Sequence, residues 1–119
     1  MKNRWVLLEH RLVKNNPYEF HFDLLLEEEL SFRTWRLDKL PVLNGPSVPI
    51  ISLPPHKLEW LERQESIVSG GRGWAQRIEA GTFVGSLPKS HGSIISIELV
   101  SATIYGRLEL EKNFCRLFL

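Results

Sequence analysis

Short segments in which apolar and polar residues alternate recur along the chain, and this period of two limits the fold more than any other feature. The clearest instance sets Ile95, Ile97 and Leu99 against Ser96 and Glu98, the pattern of a half-buried strand. Trp5 to His10, His21 to Glu27, Leu30 to Leu37, Val48 to Leu53, Trp74 to Glu79, Thr82 to Val84, Ile94 to Val100, Thr103 to Glu111 and Phe114 to Leu119 all read as strands. Turn chemistry lies between them: Asn15-Asn16-Pro17, Glu28-Glu29, the proline-rich loop Pro41 to Pro49, Ala80-Gly81, Ser90-His91-Gly92-Ser93, Ser101-Ala102 and Lys112-Asn113. Many short strands at close spacing predict a mainly β fold, a small closed or nearly closed β-barrel. One short helix is expected as well. Pro54-Pro55 would stop the preceding strand, and His56 to Glu62 would wind about two turns with Leu58 and Leu61 three apart.

A chain of 119 residues that is 43% hydrophobic can bury a core as one domain, residues 1–119, without disulfides. No apolar run approaches the roughly 20 residues of a membrane helix, and Lys2 and Arg4 lead into a strand rather than a signal segment. A cytoplasmic protein without membrane contact is therefore expected. The single cysteine, Cys115, lies among apolar positions of the last strand and reads as a packed thiol. Fifteen basic residues against fourteen acidic leave a net charge of +1, too little for a protein that holds nucleic acid mainly by phosphate neutralisation. Any such contact has to be local. Arg33, Arg36 and Lys39, with Arg72 and Arg77 later in the chain, could form a small basic cluster, and a solvated face explains them equally well.

Chemistry concentrates in His21-Phe22-Asp23-Leu24-Leu25-Leu26-Glu27. On a strand, Phe20, Phe22, Leu24 and Leu26 share one face, and His21, Asp23, Leu25 and Glu27 share the other. An imidazole and a carboxylate two apart can hold one cation, and this donor set suits Mn²⁺, Zn²⁺ or Fe²⁺. A half-buried strand with a polar outer face is the plainer reading. Three glycines around Arg72, in Gly70-Gly71-Arg72-Gly73, read first as a turn or bulge and second as an anion cradle. No Walker-type phosphate loop is present. Trp35 reads as core, and His91 as a surface residue of its loop.

Taken together, His10, His21 to Glu27, Thr34-Trp35-Arg36-Leu37-Asp38-Lys39, His56-Lys57-Leu58-Glu59-Trp60 and Gly70 to Gly73 resemble, in order and spacing over most of the chain, the 3′-phosphoesterase domain of bacterial DNA ligase D. The resemblance implies a small β-barrel and Mn²⁺-dependent removal of a 3′-terminal ribonucleoside and then of the 3′-phosphate. His10, His21 and Asp23 match the family's metal ligands. Glu27 matches the acidic residue ending its strand, Lys39 and His56 its phosphate-handling groups, and Trp60 replaces its tyrosine. Other positions also depart from the pattern. Leu25 and Val48 stand where arginines are expected, Leu8 replaces a glutamine and Pro54 a glutamate. Arg72, in place of a tyrosine, would restore one positive charge. The connection from His10 to His21 is longer than the family's.

Three readings follow. The first is a phosphoesterase in which a Mn²⁺, or Zn²⁺ or another divalent transition metal, is held by His10, His21 and Asp23, with His56, Lys39 and Glu27 catalytic and Arg72 and Trp60 on the substrate. Its partners would be 3′ ends of nucleic acid or a smaller phosphate ester. The second is a non-catalytic module that keeps the pocket and binds a 3′ phosphate or a DNA repair protein, a reading that Leu25 favours. A β-barrel with coincidental histidines is the third and leaves the joint spacing unexplained.

Overall fold

The structure is a computed structural model that describes residues 3–11, 20–57, 65–67, 74–89, 93–101 and 103–119. Its strands are β1 (Arg4–Arg11), β2 (Phe20–Glu28), β3 (Ser31–Leu37), β4 (Val48–Lys57), β5 (Glu65–Ile67), β6 (Trp74–Val84), β7 (Ile95–Val100), β8 (Tyr105–Leu110) and β9 (Phe114–Phe118). All pairings between strands are antiparallel. In space they run β1-β2-β3-β4-β9-β8-β7-β6, and β6 returns to β1, which closes an eight-stranded barrel. β5 joins the N-terminal end of β6.

Closure pairs each strand of the ring with a neighbour on both sides over at least part of its length and encloses an apolar interior. Trp5, Leu7, Leu24, Leu26, Trp35, Leu37, Val48, Ile50, Phe83, Ile95, Ile97, Leu99, Leu108, Leu110, Cys115 and Leu117 fill it, so all eight strands of the ring contribute. Trp35 is core, as its alternation predicts. Burial of Cys115 pushes its thiol up to about 12. A half-open pocket of about 270 Å³ enters the barrel, bounded in part by Trp5, Leu7, Leu24 and Leu43.

A second apolar cluster, Val6, Leu8, Leu25 and Phe32 with Ala80 against it, lies on the opposite face of β6, β1, β2 and β3. β2 is therefore buried on both faces. The expectation of one core face and one ligand face holds only near its start, where the ligand face is still polar.

Two elements differ from expectation. Trp74 to Val84 is one strand rather than two, because Gly81 belongs to it: a Cβ there would strike the Val100 carbonyl and the Trp5 indole. Only glycine lets the backbones approach so closely. The second difference is the helix. Pro54 and Pro55 do not end β4, which runs on through His56 and Lys57; Leu58 to Glu62 lie outside the described residues. No helix occurs among the described residues. Thr34 pairs with Leu53 and Phe32 with His56, so three steps on β4 face two on β3. A bulge of this kind takes up residues that cannot donate to the ladder. β4 meets β9 at Val48 and Pro49, so Pro54 and Pro55 disrupt no second ladder among the described residues.

Candidate metal centre

Register alone brings the first two histidines together. In the β1–β2 ladder His10 lies opposite His21 and Leu8 opposite Asp23, so His10, His21 and Asp23 project from one face. His10 Nδ1 is 3.0 Å from His21 Nε2, and the rings meet edge to face with centroids 4.6 Å apart. Asp23 Oδ1 is 3.4 Å from His21 Nε2, and Asp23 Oδ2 is 3.9 Å from His10 Nδ1. One donor atom from each of the three side chains falls within 4.8 Å of the others. His56 joins from β4, with Nε2 3.9 Å from Asp23 Oδ2. The bulge decides this. With regular pairing beyond Leu53, Pro55 would stand opposite Phe32 and His56 would turn to the other face.

Burial makes the group expensive unless something completes it. Asp23 is 4% exposed and His21 9%, and Asp23 Oδ1 has no hydrogen-bond partner. An unsatisfied buried acceptor costs about 1–3 kcal/mol, more when charged. Two donors on one transition-metal ion at about 2.0–2.2 Å are separated by about 3.0–3.5 Å, close to the His10–His21 and His21–Asp23 spacings. Two neutral imidazoles and one carboxylate form a donor set for such an ion. The residues present therefore fit a divalent cation, with the orphaned oxygen as the point that most needs one.

Of the other expected site residues, Glu27 and Lys39 are among those described. Glu27 shares the face but stands four residues from Asp23, about 13 Å along the strand. Arg4 occupies it: Nε and Nη2 donate to its two carboxylate oxygens at 2.9 and 2.7 Å, and the Arg4 backbone N–H donates at 3.1 Å. These bonds make Glu27 a clamp between β1 and β2. Lys39 is exposed in the bend after β3. Trp60, Arg72 and His91 lie outside the described residues. Leu25 is fully buried in the second apolar cluster, so no cation stands at that position.

The expected basic cluster is divided by the pleat. Arg33 shares the barrel-interior face with Trp35, stacks over the Trp35 ring at 5.4 Å and donates to the Pro88 carbonyl at 2.8 Å. Arg36 takes the other face and lies directly opposite Asp23. Arg77, on β6, lies opposite Leu8 in the same row. Reading along the chain places Arg36 in a basic cluster but misses its position beside Asp23. Its only sequence signal is parity: counting back from a turn at Glu29-Leu30 pairs position 36 with position 23. No protein-family model matches the sequence, and no curated protein matches it.

Proposed function

We propose that this chain is a metal-dependent phosphoesterase acting on 3′-phosphate or 3′-ribonucleotide ends of DNA in repair, akin to the 3′-phosphoesterase domain of bacterial DNA ligase D. The observation that carries the reading is the convergence of His10, His21 and Asp23 around a buried carboxylate oxygen without a partner, with His56 beside it. Mn²⁺ bound there, or Zn²⁺ or another divalent transition metal, would supply Lewis acidity and a water of lowered pKa. Asp23 provides the negative charge that retains the cation, and His10 and His21 provide neutral nitrogen donors.

His56 has 26% of its side chain exposed, so it can meet a substrate that enters from solvent. As imidazolium it would hydrogen-bond a phosphate oxygen or give its proton to the leaving oxygen. Lys39 would meet the phosphate from its exposed bend, and Arg72 and Trp60 are the substrate contacts that the resemblance implies.

A second reading, a module that binds a 3′ phosphate end without turnover, draws on the buried Leu25. Phosphoryl transfer relies on cations set against the equatorial oxygens, and loss of one such donor commonly costs on the order of 10²-fold in rate. The deciding experiment has two stages. Mn²⁺ at about 100 times its Kd should stabilise the wild type by about 2.7 kcal/mol, several degrees in melting temperature, and Asp23→Ala should abolish the rise. Release of phosphate from 3′-phosphate DNA by the wild type, lowered about 10²-fold or more in His56→Ala, then separates enzyme from module. No rise with Mn²⁺, Zn²⁺ or Fe²⁺ would remove the basis of the enzyme reading.

A further inference from the structure

We propose that Arg36 is the phosphate-binding cation of this site, reaching from β3 the oxyanion that a cation at position 25 of β2 would otherwise meet. The proposal rests on the phosphoesterase reading and names a residue which that reading lacks.

Asp23 and Arg36 are direct cross-strand partners on one face, the arrangement in which a carboxylate and a guanidinium ordinarily pair. They do not pair here. The carboxylate faces His10, His21 and His56, its Oδ1 is without a partner, and Arg36 Nε is likewise buried without one. A buried acceptor and a buried donor on adjacent strands are thus both left open. Arg36 is only partly buried as a residue, although its Nε is not open to solvent.

One bound species satisfies both atoms: a cation on Asp23 carrying a phosphate whose remaining oxygens accept from Arg36. An oxyanion suits the guanidinium because its planar fork matches two oxygens at once. Leu25 supports the assignment. Its side chain belongs to the apolar cluster with Val6, Leu8 and Phe32, so position 25 supplies no countercharge, and Arg36 is the arginine directly opposite Asp23. Arg33 cannot serve, because it lies on the opposite face and donates to Pro88.

The test measures binding of thymidine 3′-monophosphate by calorimetry, with and without Mn²⁺, to the wild type, Arg36→Gln and Arg36→Lys. The melting temperature of each is read with and without Mn²⁺. Arg36→Gln should keep the wild-type Mn²⁺-induced rise and bind the nucleotide about 10- to 100-fold more weakly, with Arg36→Lys between. Should Arg36→Gln not fold, Arg36→Met, which keeps the aliphatic stem packed, takes its place. Wild-type nucleotide affinity in the folded variant overturns the proposal, as does a wild type that binds no nucleotide. Arg36-dependent nucleotide binding with no response to Mn²⁺, Zn²⁺ or Fe²⁺ would support Arg36 and overturn the metal reading instead.

Discussion

Asp23 and Glu27 are two carboxylates on one face of one strand, and their neighbours give them different work. Arg4 grips Glu27 with two side-chain donors and a backbone N–H, whereas Asp23 faces three imidazoles. Arg4→Met removes both guanidinium bonds from Glu27, which is 8% exposed; Arg4 itself is 35% exposed, so the loss is about 1–2 kcal/mol, below that of a fully buried pair. Urea unfolding should show that loss while the Mn²⁺-induced rise persists. A catalytic Glu27 predicts the reverse emphasis, with turnover falling before stability. Burial raises the Cys115 thiol to about 12, which disfavours the reactive thiolate at pH 8. Iodoacetamide should leave it unmodified in the folded protein and alkylate it in urea, as mass spectrometry would show.

At the scale of the element, turns and bulges set which side chains meet. Glu28 pairs with Ser31, so Glu29 and Leu30 form a two-residue turn, and Glu29 takes φ 58°. That conformation strains an L-residue with a side chain and suits glycine. Glu29→Gly should stabilise the protein by about 0.5–1 kcal/mol, measured by urea unfolding, because relieved strain exceeds the added chain entropy. Thr103 donates to Glu79, and the Ala80 N–H donates to the same carboxylate at 3.1 Å. Chiefly the Thr103 bond holds the Glu79 carboxyl below its ordinary value of 4.5. A depressed acid stabilises the fold above its unfolded pKa and loses that contribution as pH falls through its folded pKa. The melting-temperature gap between wild type and Thr103→Val should therefore be widest near neutral pH and close as pH drops below 4.5. A gap independent of pH would contradict the linkage.

Across the whole molecule, the barrel is closed by ladders of unequal length. β1 and β2 share seven register pairs from Trp5 to Arg11, whereas β4 meets β9 at only two. Opening free energy follows the number of ladder and packing contacts that must break. Amides at the β4–β9 seam should exchange with deuterium well before those of β1 and β2, and equal protection would show that the seam is held by more than its ladder. A net charge of +1 supplies little long-range attraction to a duplex, so binding should favour DNA bearing 3′-phosphate ends over circular duplex. Equal affinity for both would contradict a site confined to termini.

Alternation and turn residues, read without coordinates, were enough for the barrel, for Trp35 and Cys115 as core, and for His21 and Asp23 on one strand face. These follow from local chemistry: the pleat has a period of two whatever the neighbours are, and proline, asparagine and glycine limit the backbone where they stand. Pairing was beyond such reasoning. That His10 stands opposite His21, that Arg36 rather than Leu25 offers charge beside Asp23, that Arg4 claims Glu27, and that a bulge at Pro54-Pro55 turns His56 toward the carboxylate all depend on register between strands. Local sequence fixes the face of a residue within its own strand. Only closure of the barrel decides which residue it meets across the ladder.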